Sequence, residues 1–158
     1  MEAGHFYFLS DQYFVDFRDD KLMSNRESVS GGAHDRPCFC SFRDHKTGLF
    51  WLIPISSQIE KFRRIYQGKV SRGGRCDTID FGNVLGHEKA FLLQNMCPVT
   101  EKYIKNEYLD PLYNQPVMLD GAFERQLIRK ARKVLTLHRR GIALIFPDVL
   151  SIERKLLS

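Results

Sequence analysis

The most constraining feature of this sequence is a pair of short apolar segments separated by only four residues. PCFCSFRD covers residues 37–44, LFWLIPIS covers residues 49–56, and HKTG connects them. This spacing predicts two antiparallel strands joined by a hairpin turn that ends at Gly48. The second segment is apolar on both faces through Ile53, which is typical of a strand covered from both sides. We therefore expect residues 49–56 to lie inside a sheet.

The rest of the chain predicts further short strands and helices, from the spacing of its apolar residues and from capping and turn residues. The predicted strands cover residues 5–9, two segments within 78–95, and 142–146. One predicted helix begins at Ser10-Asp11, and the others cover residues 58–67, 98–109, 121–141 and 147–157. Residues 19–35 predict a mobile surface loop, and residues 68–77 a glycine-rich basic loop. These elements predict one α+β domain, residues 1–158, with a small, strongly bent antiparallel sheet or partly open barrel and added helices.

Basic residues are concentrated in two parts of the chain. The whole sequence has 24 Lys and Arg against 19 Asp and Glu, a formal charge of +5. Residues 61–75 hold six basic and no acidic residues, and residues 121–158 hold nine basic and three acidic ones. Such runs are ordinarily solvated surfaces, but two of them in one small domain also suit an RNA-binding groove. The residues that we assign to RNA contacts are His5, Arg63, Arg64, Lys69, Arg72, Arg75, Arg125, Arg129, Arg132 and Lys133.

Several classes of protein are disfavoured by what the sequence lacks. The N-terminus has neither a basic start nor a small-residue cleavage site, and no apolar run approaches the roughly 18 residues of a membrane span. We therefore expect a cytoplasmic protein whose four cysteines are reduced and pack in the core. Nucleotide-binding and zinc-protease motifs are missing, the cysteines lack a second ligand pair, and the acidic residues are scattered. The expected site uses no metal and no cofactor.

One group of residues suits phosphate binding. Ser56 and Ser57 follow the buried strand and precede a predicted helix, so their hydroxyls would lie beside the free N–H groups of its first turn. Lys61 lies one helical turn after Ser57, and Arg36 lies at the entrance of the 37–44 strand. The two serines alone are also typical of a simple helix cap, and Lys61 alone is typical of a solvated helix residue.

Hydroxyl and cationic groups without a metal are enough to cleave RNA. The ribose 2′-OH already lies beside the scissile phosphate, so an enzyme needs only to align it, assist proton transfer and stabilise the oxyanion. The products would carry a 2′,3′-cyclic phosphate and a 5′-hydroxyl. His5 and His34 are possible proton carriers, although a single histidine is more often structural.

Short motifs along nearly the whole chain resemble the endoribonuclease toxins of type III toxin–antitoxin systems, the ToxN, AbiQ and CptN group. They are Phe6-Tyr7-x-x-Ser10-x-x-Tyr13, Arg36 before a strand, and W-L-I-P-I-S-S before the Lys61 helix. Within that group the sequence most resembles CptN. By position, the residues that match the active site of the family or its immediate surroundings are Tyr13, Arg36, Ser56, Ser57 and Lys61.

The resemblance implies a compact barrel like that of the MazF and Kid toxins, extended by helices, and RNA cleavage without metal in phage defence. The implied partners are cellular RNA and a small folded antitoxin RNA, a pseudoknot that the toxin processes from a repeat transcript and joins in a ring-like assembly. Relatives often have Lys in place of Arg36, and because an arginine does not transfer its proton, the general acid and base stay open.

Two other functions are compatible with the residues alone. One is a non-catalytic RNA-binding or ribosome-associated module, which would bind RNA in a salt-sensitive way without cleaving it. The other is a DNA-binding regulator that uses the helix at 121–140, although no second helix is placed to complete a helix-turn-helix motif.

Overall fold

The computed structural model of the protein describes residues 1–29 and 32–158. The strands are β1 (Phe6–Leu9), β2 (Arg26–Val29), β3 (Gly32–Asp35), β4 (Pro37–Arg43), β5 (Phe50–Ser56), β6 (Ile79–Val84), β7 (His87–Leu92), β8 (Cys97–Val99) and β9 (Ile104–Glu107). The α-helices are α1 (Asp11–Asp16), α2 (Ile59–Gly73), α3 (Gly121–Arg139) and α4 (Val149–Leu157). Two short 3-10 helices cover Leu93–Asn95 and Glu101–Tyr103.

Strand β5 is the centre of the main sheet, as its apolar sequence predicts. The order of neighbours is β6-β7-β5-β4-β1-β9, and β8 pairs with the first half of β5 while β7 pairs with its end. All of these pairs are antiparallel. Trp51, Leu52 and Ile53 are fully buried because strands cover both edges of β5 and side chains cover both faces. The predicted α+β class is confirmed, with a mostly antiparallel sheet that does not close into a barrel.

Strand β7 separates two layers of helix packing. Ala90 and Leu92 face Phe62 of α2, whereas Phe91, between them in sequence, packs against Phe123 of α3 with ring centroids 5.2 Å apart. Since alternate residues of a strand point to opposite faces, α2 and α3 cover opposite sides of this part of the sheet. The large core lies on the α3 side, and a smaller one lies under α2.

Three predicted segments differ from the structure because strand pairing, local or distant, decides their conformation and the spacing of apolar residues does not reveal it. Residues 26–29 and 32–35 form the β2–β3 hairpin inside the predicted loop at 19–35, of which Ser30 and Gly31 lie outside the described residues. The helix predicted for 98–109 is wrong, because β8 pairs with β5 and β9 pairs with β1 there. The strand predicted for 142–146 is also wrong, since this segment has no strand partner among the described residues.

Helix α2 is longer than the sequence predicts. It continues to Gly73 through the predicted basic loop, and it ends where Gly74 adopts a left-handed conformation with φ of 81°. Its start is also different, because Gln58 is the N-cap and no side chain caps the helix. The predicted cap by Ser56 and Ser57 is therefore wrong for the helix itself, although the Ser56 hydroxyl accepts a hydrogen bond of 3.2 Å from the N–H of Gln58 just before it.

The four cysteines lie in the core, as predicted. Burial raises the pKa of the Cys40 thiol to about 12 and that of the Cys97 thiol to about 11. These thiols therefore stay protonated at neutral pH and pack as apolar groups. No helix among the described residues has the length and apolar character needed to cross a membrane.

Candidate active site

Ser57 and Lys89 meet because of the register between β5 and β7. Ser56, the last residue of β5, pairs with Ala90 in the middle of β7, so the next residue on each strand brings Ser57 opposite Lys89. The Lys89 ammonium donates a hydrogen bond of 2.5 Å to the Ser57 hydroxyl oxygen. A serine hydroxyl that accepts from a lysine still has its own proton to donate to a third group.

Glu27 is a buried carboxylate behind the two serines. It accepts a hydrogen bond of 2.6 Å from the Ser56 hydroxyl and one of 2.8 Å from the Ser57 backbone N–H. Only 8% of its surface is exposed. Burial by itself raises the pKa of Glu27, but the bonds from Ser56 and Ser57 and the charge of Arg36 together bring that pKa below its usual value. Glu27 is thus a fixed negative charge that holds the β2–β3 hairpin against the end of β5.

Arg36 is buried beside this carboxylate, and neighbouring groups occupy its guanidinium. It donates to Glu27 at 3.0 Å, to the Ile55 carbonyl at 2.8 Å and to the Ser24 carbonyl at 2.8 Å. The expected fork aimed at a phosphate is therefore directed at the protein itself. Arg36 contributes positive charge to the wall of the site and fixes Glu27 in place.

These groups line a cavity of about 550 Å³ between the β2–β3 hairpin and the main sheet. Besides Ser57, Lys89 and Arg36, the wall includes His34, which stands opposite Glu27 in the register of the hairpin. Phe8 and Tyr108 form another wall, with their rings edge to face at 5.3 Å between centroids. The Ser57 hydroxyl and the Lys89 ammonium beside an aromatic wall can hold a phosphate and a neighbouring base, although Glu27 and Asp35 place two carboxylates in the same wall.

Three of the residues predicted for the active site do not line this cavity, and one of them, the buried Ser56, lies directly behind it. Tyr13 is fully buried and donates its hydroxyl to the Pro98 carbonyl at 2.8 Å. Lys61 is exposed near the start of α2, with its ammonium 5.3 Å from the centre of the Phe62 ring. Because Ser57 precedes the helix, the spacing of one turn does not bring Lys61 back to it. The structure thus brings Ser57 and Arg36 together, with Ser56 behind them.

The residues assigned to RNA contacts fall into three groups. Lys69, Arg72, Arg75 and Lys133, which come from both basic segments, line a second groove of about 590 Å³. Others are engaged with neighbours: His5 and Arg63 contact Glu107 and Glu88 at 2.5 and 2.6 Å, and Arg132 lies 4.5 Å from the Phe42 ring centre. The remaining exposed residues are Arg64, Arg125 and Arg129.

The sequence does not predict Lys89 or Glu27 as residues of the site. Lys89 lies in a predicted strand among ordinary surface residues, and Glu27 lies in what was predicted as a loop. The only signal of Glu27 in the sequence is a carboxylate within a polar stretch, and that has no specific meaning. In the described parts of the chain, no cluster of three or more His, Cys, Asp or Glu residues could hold a metal ion.

Comparison with known proteins identifies a structural neighbour. No protein-family model and no curated protein matches the sequence. Among solved structures, the chain is similar to AbiQ, a lactococcal anti-phage endoribonuclease belonging to the type III toxin–antitoxin system. The likeness covers 98% of this chain and 96% of that one, with a TM-score of 0.68 and 14% sequence identity. The two proteins share a fold over nearly their full lengths, and the likeness to CptN within that group stays a prediction.

Proposed function

We propose that this protein is an endoribonuclease toxin of a type III toxin–antitoxin system and that it cleaves RNA in the cavity at Ser57. The observation that carries the proposal is the contact of 2.5 Å between Lys89 and Ser57, in a cavity that His34 also lines. The fold shared with AbiQ, an endoribonuclease of such a system, supports the same activity.

The scissile phosphate binds in front of Lys89 and Ser57. A lysine ammonium has three donors, and one of them is directed at Ser57, so two are left for the phosphate oxygens. The Ser57 hydroxyl donates its own proton to the same group. As negative charge grows on the non-bridging oxygens, these fixed donors and the nearby Arg36 charge stabilise it more strongly than they stabilise the bound substrate.

The nucleophile is the 2′-OH of the nucleotide that precedes the scissile bond. His34 accepts its proton, the bond between O2′ and phosphorus forms, and the bond between phosphorus and O5′ breaks. The departing 5′ oxygen takes the proton of Ser57, which Lys89 replaces. The products are a 2′,3′-cyclic phosphate and a 5′-hydroxyl. Phe8 and Tyr108 hold the neighbouring base, so the ribose is aligned for in-line attack.

Each charged role in this mechanism belongs to a side chain, so the proposed reaction needs no metal or cofactor. The proposed partners are cellular RNA and an antitoxin RNA, a small folded repeat with a pseudoknot that closes with the toxin into a ring in the cytoplasm. Type III membership of AbiQ supports the RNA antitoxin. Within the toxin group we propose CptN as the most similar member.

The test is cleavage of RNA by the purified protein in EDTA, followed by analysis of the new ends. We expect fragments whose 5′ ends accept phosphate from a kinase directly and whose 3′ ends resist phosphatase until the cyclic phosphate is opened with acid. Fragments with 3′-hydroxyl ends, or intact RNA in every buffer, would contradict the proposal.

A non-catalytic RNA-binding module is the second candidate. The hydrogen bonds that Glu27 accepts from Arg36 and from the Ser57 backbone N–H favour it. Such a network is also found where side chains only stabilise the fold. Such a module would bind RNA with strong salt dependence, and neither the wild type nor any variant would produce fragments.

A further inference from the structure

We propose that the second groove, lined by Lys69, Arg72, Arg75, Lys133 and Phe146, is a separate binding site for single-stranded RNA. An unstacked base lies against Phe146, and the adjoining phosphates lie against the cations. The inference rests on the proposed function only in taking RNA as the ligand. The groove shares no lining residue with the cavity at Ser57.

Two buried side chains hold the Lys69 ammonium in a fixed position. Its ammonium donates to the Thr78 hydroxyl at 2.9 Å and to the Gln94 side-chain oxygen at 2.7 Å, and both partners are buried. A third donor is left for a ligand. Burial lowers the pKa of Lys69, which reflects the partly desolvated position of the amine. An ordered cation in such a position gains more from a phosphate than a mobile surface lysine does.

Phe146 supplies an aromatic surface directly beside this cation. The Lys69 ammonium lies 5.5 Å from the centre of its ring, and the ring residue is still 52% exposed. Its backbone N–H donates to the Gln94 carbonyl at 2.8 Å, so the residue that holds Lys69 also holds Phe146. Ile142, which is 50% exposed, extends the apolar surface. Stacking on such a surface suits any base, because every base has an aromatic face.

The groove carries net positive charge on its sides. Its four cations face a single carboxylate, Asp77, so the lining has a net charge of +3. Asp77 pairs with Arg75 at 3.1 Å and with Lys133 at 3.0 Å, and no such partner is found for Arg72 among the described residues. The cations come from α2, the segment after it and α3, and the sequence has no phosphate loop. This distribution matches the repeated phosphates of a strand better than the clustered phosphates of a free nucleotide.

The test measures RNA binding by the full chain in a Ser57→Ala background, where cleavage does not interfere. The probe is a fluorescent single-stranded RNA of roughly 12 nucleotides. Its binding is measured by fluorescence anisotropy at several salt concentrations. Phe146→Ala should weaken binding about tenfold, whereas Phe146→Trp, which keeps an aromatic face, should bind like the parent. Thermal melting of each variant verifies that it is folded.

The charge of the groove is tested with matched arginine pairs. Arg72→Gln with Arg75→Gln should lower the slope of log affinity against log salt by about 1.4, the value for two phosphate contacts on a single strand. Arg18→Gln with Arg154→Gln removes the same charge from exposed positions outside the groove and should leave the slope nearly unchanged.

Three results would overturn the inference. Phe146→Ala could bind like the parent, both arginine pairs could lower the slope equally, or uridine and adenosine monophosphates could displace the probe at micromolar concentration. The last result would assign the groove to free nucleotides. Because only binding is scored, failure of the wild type to cleave RNA contradicts the proposed function without affecting this test, and failure here leaves the cavity at Ser57 untouched.

Discussion

The cavity at Ser57 and the groove at Phe146 lie at opposite ends of α2, whose 15 residues span about 22 Å. In the cavity, Lys89 meets Ser57 across two strands, and a buried carboxylate and arginine fix the backbone behind them. In the groove, most cations stand on helix surfaces and at loop positions around an exposed ring. The cavity is suited to positioning atoms for a reaction, and the groove is suited to holding a strand of any sequence.

Replacing Ser57 should separate the two regions most sharply. Ser57→Ala removes the hydroxyl between Lys89 and the phosphate, so we expect cleavage under single turnover to slow about 1,000-fold while RNA binding changes little. Ser71→Ala, which removes an exposed hydroxyl from α2, is the matched control and should cleave normally. Equal cleavage rates in the two variants would show that Ser57 takes no part in the reaction.

The second prediction distinguishes two lysines. Lys89→Gln should slow cleavage roughly 300-fold. The change removes the ammonium that stabilises the growing negative charge and that returns a proton to Ser57. Lys61→Gln should change the rate less than about twofold, because Lys61 is exposed and lies outside the cavity. If Lys61→Gln slowed cleavage of the same substrate more than Lys89→Gln did, Lys61, one helical turn after Ser57, would be the lysine of the site.

The third prediction concerns the proton acceptor. His34→Ala should slow cleavage about 100-fold at neutral pH. The loss should be in the rate of cleavage under single turnover and not in RNA binding, because the imidazole is assigned to accept the proton of the 2′-OH. His87→Ala changes an exposed histidine at the start of β7 and should keep the wild-type rate. A wild-type rate in His34→Ala would assign the base to another group.

The fourth prediction concerns the support of the cavity rather than its chemistry. Glu27→Gln should lower the free energy of unfolding by about 2 kcal/mol at pH 7, since it removes the charge that Arg36 pairs with. A carboxylate whose pKa is lowered by folding stabilises the protein above the pKa of the unfolded state and loses this effect as pH falls through the folded pKa.

The difference between wild type and Glu27→Gln should therefore be complete at pH 7 and should shrink below about pH 4.5, the ordinary glutamate value. Denaturant unfolding at several pH values measures it, with Glu60→Gln on the exposed side of α2 as the control. A difference that does not depend on pH would mean that the charge of Glu27 has no part in holding the hairpin.

The two regions also differ in how far the sequence predicts them. Clusters of Lys and Arg are local features, so the sequence predicts the cations of the groove as RNA contacts, although it does not single out the exposed Phe146. The cavity depends on pairing between distant segments. Ser57 directly follows the strand predicted as buried, and Arg36 directly precedes the strand predicted to pair with it, so the sequence predicts both as site residues. Only the register of β5 with β7 brings Lys89 to Ser57.

The same distinction applies to the fold. Helix α3, with its regular apolar spacing, was predicted almost to its ends, and the central hairpin was predicted from its alternating apolar residues and short turn. Strands β8 and β9 were predicted as a helix, because their few residues become strands only through pairing with β5 and β1.

The most direct test of cleavage by the substrate's own 2′-OH uses one altered nucleotide. The wild-type protein is given an RNA with a single 2′-deoxy residue immediately before a mapped cleavage site, and an unmodified RNA of the same sequence. We predict that the protein binds both with similar affinity and leaves the modified bond intact while it cuts the unmodified one. Cleavage of the modified bond at a comparable rate would show that water or a protein side chain attacks the phosphate, and would contradict the mechanism proposed for Ser57, Lys89 and His34.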